Sequence, residues 1–126
     1  MPTKLFVNLP VNDLDRSQDF FAALGLEFFK MAEGMASIII SEHTQVMLLD
    51  AETYAQFTPK PVADAEQSSE VILVLGVEDR AAVDSLVDAA LEAGAGPAGD
   101  PLDADGRYQR AFFDPDGHHW AALCLV

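Results

Sequence analysis

The strongest constraint on this chain is that it repeats itself. Val11-Asn12-Asp13 and Val77-Glu78-Asp79 carry the same local signal at an offset of 66 residues. Each follows an extended apolar run, Leu5 to Val11 and Val71 to Val77, and each opens a helical pattern. In the first, Asp13 is the N-cap, Leu14, Ser17, Phe20, Phe21 and Leu24 share a face, and Gly25 is the stop. In the second, Asp79 is the N-cap, Val83, Leu86, Val87, Ala90 and Leu91 make the stripe, and Gly94 ends it.

Three strand candidates follow each helix. They are Leu26 to Met31, Met35 to Ser41 and Gln45 to Asp50 in the first half. In the second half they are a weak piece near Ala95 to Asp100, then Tyr108 to Asp114 and His119 to Leu125. Turn residues at Glu33-Gly34, Glu42-His43-Thr44, Asp105-Gly106 and Asp114-Pro115-Asp116-Gly117 separate them. Both halves therefore read βαβββ, with a short helix over Ala51 to Phe57. The expected class is α+β: two tandem βαβββ modules forming a cupped sheet with helices outside. The modules are 1–57 and 68–126, and the connector is 58–67 with Pro59 and Pro61. One such unit covers one face of its sheet with its helix and leaves the other for a partner or a ligand.

Composition narrows the partners. The formal charge is −14, with seven Lys and Arg scattered over the chain. A phosphate backbone needs clustered cations, so nucleic acid is excluded as a partner, and an anionic membrane surface is disfavoured for the same reason. A cationic or neutral ligand suits the field, and solubility alone also accounts for the charge. Half the residues are hydrophobic, enough for a real core. The N-terminal MPTKLFVNLP lacks the apolar core of a signal peptide, and the apolar run at Val71 to Leu75 is too short to span a bilayer. The single cysteine, Cys124, lies between Leu123 and Leu125 and reads as a buried strand thiol in a reducing compartment. A cytoplasmic protein is the expectation.

Two segments, LPVNDLDRSQDFFAALGLEF at 9–28 and FFDPDGHHWAALCLV at 112–126, resemble the vicinal oxygen chelate superfamily. That superfamily includes glyoxalase I, bleomycin-resistance proteins and extradiol dioxygenases. With the duplication, the resemblance spans nearly the whole chain and implies a single glyoxalase/bleomycin-resistance-like domain over 1–126. Metal-dependent members draw His, Gln and Glu ligands from the first, fourth, fifth and eighth strands. Carried over by motif spacing, these positions fall on Phe6, near Leu48, near Ile72 with Glu70 its nearest polar neighbour, and on Ala121. None of these four side chains donates to a divalent cation. The resemblance thus implies a member without the usual metal and with no cofactor. A shifted set of Asn8, Asp50, Glu70 and His119, taken as neighbours on one face, is the off-register alternative.

Strand alternation from Phe6 assigns the lining. Asn8 joins Phe6, then Leu48 with Asp50, Glu70 with Ile72, His119 with Ala121, and, by a weaker assignment of parity, Tyr108, Arg110 and Phe112. This wall reads either as a small-molecule site or as a filled core with a polar rim. Arg110 reads as a bidentate anion holder or as a structural ion pair. His119 is the acid–base candidate, His118 a turn or surface residue, and His43 an exposed hairpin residue. Met31, Met35 and Met47 read as core or as a soft apolar surface. Asp13, Asp79, Asp114, Asp116 and Gly117 read as caps and turns.

The function expected is binding of a small organic molecule, cationic or aromatic, in the cup. The alternative is a lyase or dioxygenase-type enzyme using an off-register metal or metal-free acid–base catalysis. By analogy with the family the chain forms a homodimer, with its halves packed within one chain or exchanged between two.

Overall fold

A computed structural model describes residues 3–126. Met1 and Pro2, which open the first sequence module, lie outside the described residues. The chain divides into two units, 1–63 and 64–126.

The first unit runs β1 (Leu5–Val11), α1 (Leu14–Ala23), β2 (Glu27–Ala32), β3 (Met35–Ser41), β4 (Thr44–Asp50) and α2 (Ala51–Ala55). Asp13 caps α1, its carboxylate accepting from the Arg16 N–H at 3.1 Å. The strand order is β1-β4-β3-β2, with β1 and β4 parallel and the other pairs antiparallel. Parallel pairing of β1 with β4 needs a long crossover, which α1, β2 and β3 supply.

Cross-strand partners share a face. Val7, Leu9 and Val11 therefore lie with Val46, Leu48 and Asp50, and with Ala36 and Ile38 of β3. This is the face that α1 covers. Ser17, Phe20 and Phe21 of α1 are buried, as are Leu9, Val11, Ala36, Ile38, Val46 and Leu48. Lys30, opposite Ala36 on the same face, reaches Asp15 of α1 at 2.9 Å.

The second unit runs β5 (Ile72–Gly76), α3 (Arg80–Glu92), β6 (Gly96–Pro97), β7 (Leu102–Ala104), β8 (Arg107–Phe113) and β9 (His119–Leu125). Asp79 caps α3 through the Ala82 N–H at 2.8 Å. The order is β5-β9-β8-β6, with β7 also on β8 and β5 parallel to β9. The weak strand expected near Ala95 to Asp100 is two short pieces instead. Pro97 and Pro101 have no N–H to give a ladder, and Gly99 between them turns the chain. The core beneath α3 is Val83, Val87 and Ala90 against Phe112, Trp120, Ala122 and Cys124. The thiol is buried there, as a strand cysteine between leucines should be. No helix among the described residues is long and apolar enough to cross a membrane.

Candidate functional site

Each sheet has one face under its helix and one face turned the other way. In the first unit the open face is a grid of three rows. Phe6, Gln45, Ile39 and Glu27 form one row, Asn8, Met47, Ser37 and Phe29 the next, and Pro10, Leu49 and Met35 the third. Phe6 and Phe29, on the two edge strands, are 52% and 53% exposed. Between them Ser37 is fully buried, and its hydroxyl donates to Gln45 Oε1 at 2.7 Å. Met35 and Met47 are half-buried on this face, and Met31, at the β2 bulge, is exposed.

In the second unit the open face carries Ile72 and Val74 of β5, His119, Ala121 and Leu123 of β9, and Gln109, Ala111 and Phe113 of β8. Ile72, Val74 and Phe113 are exposed. The His119 imidazole lies against the Phe113 ring with centroids 5.1 Å apart.

These registers correct two sequence assignments. Leu48 and Asp50 do not share the face of Phe6 and Asn8. They pair with Leu9 and Val11, so they belong to the helix side. Leu48 is a fully buried core residue, and Asp50 caps α2 through the Thr53 N–H at 2.8 Å. That hydrogen bond holds the Asp50 carboxyl below its ordinary pKa. A one-residue error in strand register exchanges the two faces, and β4 is apolar on both, so alternation could not reveal the error. The off-register set of Asn8, Asp50, Glu70 and His119 fails on the same ground, because Asn8 and Asp50 project from opposite faces. Glu70 lies two residues before β5 and is exposed.

The second correction concerns β8. Tyr108, Arg110 and Phe112 pair with Cys124, Ala122 and Trp120, which places all three on the helix side. Phe112 is buried core. The Tyr108 hydroxyl donates to Asp84 at 2.6 Å, and Arg110 Nη1 donates to Asp84 at 3.0 Å and to Asp88 at 2.9 Å. Arg80 makes a two-pronged pair with Asp103 at 2.8 Å and lies 4.9 Å above the Tyr108 ring. The Tyr108 hydroxyl, then Arg110, holds the Asp84 carboxyl below its ordinary pKa, and the same contact raises that of Tyr108. Arg110 is thus the structural ion pair, not a free anion holder. Asp84 and Asp88, four residues apart on one helix, were the sequence signal for this.

The β8–β9 turn is built on Asp114. One carboxylate oxygen accepts from the backbone N–H of Asp116 at 2.9 Å and of His118 at 3.0 Å, and the other from Trp120 Nε1 at 2.9 Å. Burial pushes the Asp114 carboxyl above its ordinary pKa, against the pull of His118 and these hydrogen bonds. His118 is buried in this turn rather than at the surface. His43 is half-buried rather than exposed, with Nδ1 enclosed and unpartnered. The residues missed by sequence reasoning are Gln45, Ser37, Phe29, Gln109 and Phe113. Only the strand pairing puts them on the open faces.

The N-terminal residues 3–41 match a family model described as "Bleomycin resistance protein-like N-terminal". A solved structure of a hypothetical protein from S. aureus is 31% identical, covers 98% of this chain and 94% of its own, and superposes with a TM-score of 0.84. Residues 3–41 thus carry a bleomycin-resistance-type N-terminal segment, and the chain has the glyoxalase/bleomycin-resistance fold. Two structures named for that superfamily share the fold at lower identity. One is a glyoxalase/bleomycin resistance protein/dioxygenase family enzyme from Burkholderia phytofirmans, at 20% identity, 96% and 97% coverage and TM-score 0.77. The other is a glyoxalase-related enzyme from Fulvimarina pelagi, at 15% identity, 98% and 88% coverage and TM-score 0.83. No curated protein matches the chain.

The superfamily's metal site is a test of the donors present. Among the described residues no three His, Cys, Asp or Glu side chains come together as a ligand set. The open face of the first unit offers two carboxamides, a hydroxyl and, at its edge, the lone carboxylate of Glu27, and that of the second a single imidazole with the carboxamide of Gln109. Zinc and ferrous ion are held by several imidazole, thiolate or carboxylate donors. Neither face by itself supplies them, so the residues do not fit the group and no step is routed through it.

Proposed function

We propose that this chain binds a small, largely apolar organic molecule, aromatic and neutral or cationic, against the open faces of its sheets. One observation carries this reading. The sheet faces away from the helices hold Phe6, Phe29, Ile72, Val74 and Phe113, each at least about two-fifths exposed, interleaved with Asn8, Gln45, Gln109 and His119. Exposed apolar clusters with a few placed polar groups are what small-molecule sites are made from. The charge of −14 repels anions and favours a neutral or cationic guest. A homodimer suits the same faces, since a second copy would bury apolar area that a lone chain leaves wet.

The test is a thermal-shift screen of cationic and aromatic compounds, followed by equilibrium sedimentation with and without the best of them. A concentration-dependent rise in melting temperature that Phe6→Ala and Phe29→Ala together abolish is the expected result. A screen without any stabiliser sinks the proposal. The enzymatic alternative centres on His119, the imidazole of the second unit's open face. It predicts that His119→Ala removes turnover while leaving affinity in place.

A further inference from the structure

On the open face of the first unit, the orientation of the Gln45 side chain is set by a buried neighbour. Ser37 sits opposite Met47 on the next strand, is fully buried, and donates its hydroxyl proton to Gln45 Oε1 at 2.7 Å. With its oxygen engaged, the carboxamide has its NH₂ group left to give, and that group has two donors and no acceptor. Phe6 flanks Gln45 on β1, Asn8 and Met47 lie one row on, and Phe29 closes that row at the far edge strand. Four strands span roughly 14 Å between the two half-exposed rings, room for a fused aromatic system lying flat across the sheet.

We infer that this face selects aromatic ligands that carry a neutral acceptor oxygen, a carbonyl or amide oxygen, which Gln45 receives through Nε2. The inference rests on the proposed binding role of the face and adds the chemical class of guest. Two features on the face point the same way. Gln45 presents a donor because its oxygen is turned to the buried Ser37 hydroxyl, which takes one of that oxygen's two lone pairs and leaves the NH₂ on the other side. An anionic acceptor such as a carboxylate is disfavoured by a chain of charge −14 with Glu27 in the same row as Gln45. A neutral carbonyl satisfies both conditions. An unmatched buried donor costs more than a made hydrogen bond gains, so the preference falls against ligands that offer only N–H groups.

Two matched probes test this on the full chain. N,N-dimethyl-2-naphthamide has an acceptor oxygen and no N–H. N,N-dimethyl-1-(naphthalen-2-yl)methanamine has the same aromatic body with a cationic donor head. Titrations followed by ¹H–¹⁵N spectra at about 0.5 M salt, where the overall field is screened, should show the amide shifting the Gln45 side-chain NH₂ pair. The amide should bind at least about fivefold more tightly than the amine, the worth of one hydrogen bond. Gln45→Met should erase the preference without erasing binding of the naphthyl body. Ser37→Ala, which frees the carboxamide to turn over, should reduce the preference while Gln45 remains in place. Equal binding of both probes, tighter binding of the amine, or shifts at Asn8 but not Gln45 would overturn the assignment and leave the binding role standing. Absence of any probe-induced shift at Phe6, Phe29 or Met47 would overturn the assignment and the binding role together.

Discussion

In the first unit α1 lies on its sheet through Phe20 and Phe21, whose rings meet edge to face at 4.9 Å, with an exposed Lys30–Asp15 pair at the margin. In the second unit α3 adds a row of carboxylates to its apolar stripe, and Asp84 and Asp88 hold Tyr108 and Arg110. The hairpins differ in the same direction. The β3–β4 turn has one exposed side-chain bond, from the His43 N–H to Ser41 Oγ at 3.3 Å. The β8–β9 turn is wired to the buried Asp114 carboxylate by three donors. Two halves of one repeat have thus reached the same topology with different chemistry. The second ties its helix and hairpin with polar side chains, while both units leave polar groups, Asn8 and Gln45 in one and Gln109 and His119 in the other, on an open face.

The largest break in that comparison should come from the two turns. Asp114→Ala strands three buried or partly buried donors and should cost about 4 kcal/mol, whereas Ser41→Ala should cost about 0.5 kcal/mol or less. Urea unfolding of the two variants checks this, and equal costs would refute the contrast. A smaller gap separates two glycines of positive φ. A Cβ on Gly117, at φ +91°, would lie 2.9 Å from Glu66 Cγ and 3.0 Å from Glu66 N. One on Gly25, at φ +82°, would meet nothing within 4 Å. Gly117→Ala should therefore cost about 3 kcal/mol and Gly25→Ala about 1 kcal/mol, the second reflecting the left-handed backbone alone.

The smallest difference concerns the ion pairs. Arg110 is 18% exposed against partners on α3, while Lys30 and Asp15 are 57% and 81% exposed. Arg110→Met should lower the urea midpoint at neutral pH, and Lys30→Met should leave it within error. Because Asp84 titrates below its ordinary value when folded, the stability it contributes is present at neutral pH. That contribution is lost as pH falls through the lowered value. The Arg110→Met deficit should accordingly shrink when the same measurement is repeated near pH 3. A deficit that stays constant with pH would mean that Arg110 acts through packing of its stem alone.

Much of the fold was legible because its signals are local. Asp13 and Asp79 cap their helices, the apolar stripes face their sheets, and β1, β3 and β9 begin and end where the apolar runs do. Most of the candidate site was not legible in this way. Of the lining read from the sequence, Phe6, Asn8, Ile72, His119 and Ala121 lie on open sheet faces. Leu48, Asp50, Tyr108, Arg110 and Phe112 lie on helix-covered ones.

The sequence by itself determined the duplicated order of strand and helix, the caps and turns, and the acidic field. The tertiary structure alone decided which side of each strand faces the helix. Alternation relates residues within one strand, but a strand's phase relative to its neighbours comes from pairing across long loops. On β4 and β8 both phases carry side chains able to sit in a core. On β8 the phase adopted buries Phe112 in the core and lets Arg110 reach Asp84 and Asp88 on α3.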